Sequence, residues 1–93
     1  MAGSNHPTDM TGTIERIRGE LSRFIDEDIR KVSADTNLIE IGLHSLAIMH
    51  LVTPLSRLAG APLDYADLAR QPSLGAWGAL ICRLQDRQKA ERG

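Results

Sequence analysis

The sequence predicts an all-α fold, a four-helix bundle of three longer helices and one short third helix, with a long structured loop between the first two. Three observations carry that prediction. Apolar residues recur at steps of three and four in separate stretches, the spacing of one face of a helix. Gly, Pro, Ser and Thr punctuate the ends of those stretches. The 93 residues are 42% apolar but only 3% aromatic, the size of one small domain whose core is built from Leu, Ile, Val and Ala.

Residues 1–11 hold Gly, Ser, Asn, Pro and Thr without periodicity and are expected to form a flexible tail ahead of a folded unit over residues 12–86. The first helix is placed at 13–27. Ile14, Ile17, Leu21, Phe24 and Ile25 make its apolar stripe, and Glu15, Arg16, Arg18, Glu20 and Arg23 its polar face. Thr11 or Thr13 is expected to cap it, since a hydroxyl satisfies an orphan N–H at a helix start.

From about residue 27 to residue 44 the chain is too apolar for an ordinary loop. Ile29, Val32, Leu38, Ile39, Ile41 and Leu43 are expected to dock on the core, and a connection this long is often functional. A strand at 38–41 is discounted, because nothing supplies it with a partner strand.

Residues 45–59 read as the second helix, with Leu46, Met49, Val52, Leu55 and Leu58 or Ala59 facing the core and Gly60 followed by Pro62 as its stop. Pro54 inside it removes the bond to the His50 carbonyl and costs about 3 kcal/mol. A kink or widening over 50–54, or an early end, is expected. Residues 63–69 form the short third helix, with Tyr65 and Leu68 inward. The fourth starts at Pro72-Ser73 with Ser73 as N-cap and Leu74, Trp77, Leu80 or Ile81, and Leu84 as its stripe. Gly75 and Gly78 weaken it by about 1 kcal/mol each against alanine. Residues 87–93 read as a charged tail that frays.

Most function classes find no support. A formal net charge of −1 with 25% charged residues leaves no basic footprint for nucleic acid. No apolar run is long enough to span a membrane and no signal peptide is visible, so a soluble cytoplasmic monomer is expected. A lone Cys82 forms no internal disulfide and reads as a small core side chain. His44 and His50 are six apart, which is not the i, i+4 spacing of two ligands on one metal. Ser45 beside His44 lacks the G-x-S-x-G of a nucleophile elbow, and helix neighbours do not face each other, so no catalytic residue is expected and an enzyme using Ser45 is the weakest reading.

Ser45 at a loop–helix junction has a plain reading, an N-cap. Its place at a helix N-terminus also suits an attached anion, because free N–H groups and the positive dipole end lie there. The run Asp35-Thr-Asn-Leu-Ile-Glu-Ile-Gly-Leu-His-Ser-Leu resembles the phosphopantetheine attachment site of acyl and peptidyl carrier proteins, D-x-x-L-x-x-x-G-x-[DH]-S-[LIV]. Asp35, Leu38, Gly42, His44, Ser45 and Leu46 meet every fixed position, and the helix order over about residues 12–86 matches too.

That resemblance implies covalent 4′-phosphopantetheine on Ser45, installed from coenzyme A by a phosphopantetheinyl transferase, and a non-catalytic role holding an acyl group as a thioester. Asp67-Leu-Ala-Arg-Gln-Pro-Ser-Leu-Gly-Ala-Trp77 resembles the D-L-x-x-x-P-T-L-x-x-W run of aryl carriers in siderophore-type nonribosomal peptide synthesis, with Ser73 in place of Thr. The partners implied are an adenylation enzyme and a condensation or other downstream synthetase domain. The second helix holds no Asp or Glu and only Arg57 as a formal charge, unlike the acidic helix of fatty-acid carriers. His44, Leu46, Ile48 and Met49 are therefore the expected partner-binding residues, with Ile48 as the better exposed candidate because Leu46 and Met49 fall on the expected core stripe. A polyketide-type acyl carrier and a small helical adaptor without prosthetic group are the alternatives. The sequence leaves open whether the domain is free-standing, although the opening methionine favours that.

Overall fold

The computed structural model describes residues 11–26 and 28–92. Residues 1–10 of the tail expected at 1–11 lie outside them, and Thr11 is already helical. Four helices follow in order: α1 over Thr11–Leu21, α2 over Ser45–Ala59, α3 over Tyr65–Ala69 and α4 over Leu74–Arg92, with a single 3₁₀ turn at Ile29–Lys31 between α1 and α2. Helix α1 packs on α4 and α2, α4 also packs on α2, and α3 packs on α2. No strand occurs among the described residues, and residues 38–41 are turns.

Helix α1 begins earlier and ends earlier than its periodicity suggests. Thr11 and Thr13 are both already helical, so neither is the cap, and the capping position lies outside the described residues. The helix stops at Leu21 because its last turn is drawn into other bonds. The Ser22 hydroxyl donates to the Gly19 carbonyl at 2.7 Å, and the Phe24 N–H turns back to the Leu21 carbonyl at 2.8 Å. Arg18, read from sequence as a solvated residue, is instead a clamp. Its Nη1 donates to the carbonyls of Ile29 at 2.6 Å and Val32 at 2.7 Å, holding the returning loop against α1. Ile25 still reaches the core from the extended chain, and Phe24 stacks on His50 of α2, ring centroids 6.1 Å apart.

The core runs from Ile17 and Leu21 through Leu38, Leu43, Ile48, Leu51 and Leu55 to Leu68, Leu74, Trp77 and Ile81, all essentially sealed from solvent. Trp77 is the largest of them, and its Nε1 donates to the Leu68 carbonyl at 2.9 Å, so burying the ring leaves no orphan donor and fastens α3 to α4. Cys82 is buried, its Sγ 3.5 Å from the Thr13 hydroxyl, a small side chain as expected.

Helix α2 spans the residues expected of it and passes through Pro54 without ending. Fully burying a leucine or isoleucine stabilises by about 1.5–3 kcal/mol. Ile48, Leu51 and Leu55, all with 0% exposure, together exceed what the proline costs. Gly60 closes the helix at φ 73°, with the Ala61 N–H on the Ser56 carbonyl and the Gly60 N–H on Arg57, the left-handed stop that glycine allows.

The phase of α2 departs from expectation. Its buried face is Ala47, Ile48, Leu51, Leu55 and Ala59, whereas Leu46 and Met49, expected inward, are exposed. Ile48, expected outward, is fully buried. Two apolar stripes compete on this helix: the buried one (48, 51, 55, 59) spans about three turns, and the expected one (46, 49, 52, 55) shares only Leu55 with it at its far end.

Helix α3 is two residues shorter than expected. Leu63 stays outside it, giving its N–H to the Ser56 hydroxyl at 2.9 Å, and Leu68 is its buried residue. Tyr65, expected inward, opens the helix and stays exposed, since Leu63 and Leu68 already fill the gap. Ser73 caps α4 as expected, its hydroxyl accepting from the Ala76 N–H at 3.1 Å. Helix α4 continues to Arg92, so the expected frayed tail is helical in its backbone.

Candidate functional site

The site is built by the turns that lead into α2. The Asn37 side chain accepts from the Ile39 N–H at 2.9 Å, starting the turn. The buried Leu38 then anchors it in two ways. Its N–H donates to the Pro72 carbonyl at 2.7 Å, and its own carbonyl accepts from Leu43 at 3.0 Å and Ile41 at 3.3 Å. The Gly75 N–H in the first turn of α4 donates to Ala34 at 2.9 Å. A Cβ at Gly75 would sit 3.2 Å from that carbonyl oxygen, so the glycine that weakens α4 is what lets the loop lie so close. Gly42 takes φ 114°, a backbone geometry that side-chain-bearing residues resist. That turn sends Leu43 into the core and leaves His44 and Ser45 outside.

His44, not Ser45, is the N-cap of α2. Its backbone is extended (φ −80°, ψ 158°), its carbonyl accepts from the Ile48 N–H at 3.1 Å, and its imidazole makes no capping bond. Ser45 is the first helical residue and is exposed. The first-turn N–H groups of a helix have no partner within it, and here the N-cap side chain does not take one either. An exposed hydroxyl thus stands where unpaired donors and the positive end of a 15-residue helix converge. This arrangement fits a phosphodiester on Ser45 Oγ, whose anionic oxygens would meet those N–H groups.

Two large apolar side chains that follow Ser45 on α2 are in the open. Leu46 is 64% exposed and Met49 57%, and both lie on the flank of α2 that carries Ser45. Among the described residues, Ile39 in the loop and Tyr65 at the start of α3 are the other large apolar side chains in the open. Of the residues expected at the site, the structure brings His44, Ser45, Leu46 and Met49 to one exposed helix end and puts Ile48 in the core. Ile39, expected to dock on the core, and Tyr65, expected inward, are instead 48% and 39% exposed. The usable signal for Ile39 was its place one residue after the buried Leu38; for Tyr65 it was a five-residue helix with room for one inward side chain.

The small helical domain thus holds Ser45 exposed at the N-terminus of α2. The family described as "Phosphopantetheine attachment site" matches residues 15–81. The chain belongs to that family, whose members are carrier domains holding 4′-phosphopantetheine covalently.

Among curated proteins, the chain is 35% identical over 78 residues to the pyochelin synthetase of Pseudomonas aeruginosa, covering 81% of this chain and 5% of that protein. It is 37% identical over 67 residues to the phenyloxazoline synthase of Mycolicibacterium paratuberculosis, 72% of this chain and 6% of the relative. It is also 37% identical over 68 residues to the pseudomonine synthase of Pseudomonas entomophila, 73% and 10%. The chain therefore spans only a small part of the length of these relatives. No solved structure gives a significant match. Among the described residues, no helix is long and apolar enough to cross a membrane.

Proposed function

We propose that this domain carries an aryl or aminoacyl group as a thioester on a phosphopantetheine arm attached to Ser45, within siderophore-type nonribosomal peptide synthesis. The observation that carries the reading is the exposed Ser45 hydroxyl at the uncapped N-terminus of α2, inside the stretch that matches the family. The names of the relatives, synthetases of pyochelin, pseudomonine and a phenyloxazoline, support the pathway class.

The arm supplies a terminal thiol on which the acyl group travels. The chain's own residues do the presenting. Leu38 and Leu43 pin the loop, Gly42 turns it outward, and the first-turn N–H groups of α2 steady the phosphate. The domain itself catalyses nothing. Its partners are a phosphopantetheinyl transferase, an adenylation enzyme and a condensation or similar downstream domain, working in the cytoplasm. His44, Leu46 and Met49 are the contacts we assign to them, with no acidic residue on α2 to steer a basic partner.

The test is intact mass after incubation with coenzyme A and a broad-specificity transferase, followed by loading with an adenylating enzyme for aryl acids. The expected result is one added phosphopantetheine on the wild type, none on Ser45→Ala, and an aryl thioester on the modified protein. A wild type that stays unmodified would leave a helical adaptor as the better description; modification without aryl loading would turn the reading toward other acyl cargo.

A further inference from the structure

Away from Ser45, two adjoining depressions of about 400 Å³ each run between α1 and α2 and share Glu20, Pro54 and Arg57. Together they form one open groove. Arg16, Arg23 and Arg57 line it, and all three are exposed. Among the described residues the ion pairs are Arg18 with Glu15 and Arg30 with Asp28, so none of the three groove arginines is matched by a carboxylate. Among the described residues, Glu20 is the single acid on the lining. The chain as a whole carries a net charge of −1, so this basic strip is a local arrangement and not a sample of the bulk charge.

The helices are also unusual where they face the groove. Gly19 lies inside α1, where glycine costs about 1 kcal/mol against alanine. A Cβ built on it would meet nothing within 4 Å, so internal packing does not require the glycine. Pro54 is the costliest helix residue in α2 and lines both depressions. Gly19, one of the two glycines of α1, and Pro54 of α2 therefore border the same space, and Phe24 and Leu58 give it an apolar edge.

We infer that the α1–α2 groove is a second docking surface, one that takes an acidic, extended segment of a partner polypeptide. Charge selects the occupant, because guanidinium groups pair two-pronged with carboxylates. Size selects a chain over a single small anion. From His50 to Leu58 the groove follows α2 for about 12 Å, the length of about four extended residues. Position makes the surface independent of the first one. At 1.5 Å per residue, Pro54 and Arg57 lie about 14 and 18 Å along α2 from Ser45. A partner held there leaves the serine end free for a different enzyme.

The experiment is a titration of the ¹⁵N-labelled full chain, followed by amide chemical shifts at low salt. The probes are the peptide EELEELEE, its neutral counterpart QQLQQLQQ, and inorganic phosphate alone. The expected result is shifts confined to residues 16–24 and 50–58 with the acidic peptide only, fading as salt is raised. Arg57→Gln should weaken binding about threefold, and Arg23→Gln with Arg57→Gln about tenfold, with the melting curve unchanged because both side chains are on the surface. Gly19→Leu, filling open space, should keep the fold and abolish the shifts. The inference is overturned if the acidic peptide leaves those residues unmoved, if phosphate or the glutamine peptide moves them equally, or if Gly19→Leu binds as well as the wild type.

Discussion

The two faces of α2 are made of the same kinds of residue and are treated in opposite ways. Ile48, Leu51 and Leu55 are sealed in the core at 0% exposure, while Leu46 and Met49, on the same 15-residue helix, are left 64% and 57% in the open. Hydrophobicity alone does not tell the faces apart. On one face apolar side chains hold the bundle together; on the other, Leu46 and Met49 follow Ser45 along the helix and stay in the open. A residue on the first face should therefore matter to stability and one on the second to recognition.

The largest effect that could break this contrast lies in the core. Ile48→Ala or Leu51→Ala should destabilise the domain by about 2–5 kcal/mol, read from urea unfolding, because each removes buried methyl groups and leaves a cavity. A loss under about 1 kcal/mol at either position would mean that the faces are not divided as described.

Next comes the turn that sets which face is which. Gly42→Ala forces a side chain onto φ 114° and should lower stability by about 1–3 kcal/mol. It should also slow modification of the serine more than a core substitution of equal cost, since it disturbs the entry to α2. Equal slowing by both would show that the turn has no particular part in presenting Ser45.

The smallest stability effect belongs to the open face. Leu46→Ala and Met49→Ala should each shift unfolding by no more than about 0.5 kcal/mol. Their expected consequence is weaker handling by partner enzymes, measured as a higher KM for the carrier in aryl loading. Unfolding shifts of core size would place these side chains in the interior and withdraw them from the partner surface.

Helix order, the long loop and the ends of α2 were legible because their signals are local. Gly60 and Ser73 mark boundaries by their own backbone and side-chain chemistry, and the family was legible from the motif around Ser45. The phase of α2 was not, because nine of its 15 residues are apolar and a helix apolar on most sides has no unique inward face until α1 and α4 are in place. The stop of α1 was hidden for a related reason. The periodicity of Phe24 and Ile25 does point to burial, but both lie beyond the helix, Phe24 in the turn that follows it, and what holds the chain after that turn is Arg18 reaching 11 and 14 residues ahead. Long-range clamps of this kind leave no pattern in neighbouring residues. Gly75 looked like a flaw in α4 until the loop at Ala34 was seen beside it.

The most direct measurement is to locate the modification after the chain has been treated with coenzyme A and a phosphopantetheinyl transferase. Tandem mass spectrometry of the proteolysed product should place the whole added group on the peptide containing Ser45, with Ser22, Ser33, Ser56 and Ser73 untouched. Finding it on one of those serines, or on none, would contradict the account, because the only hydroxyl argued to be presented for attachment would not be the one that is used.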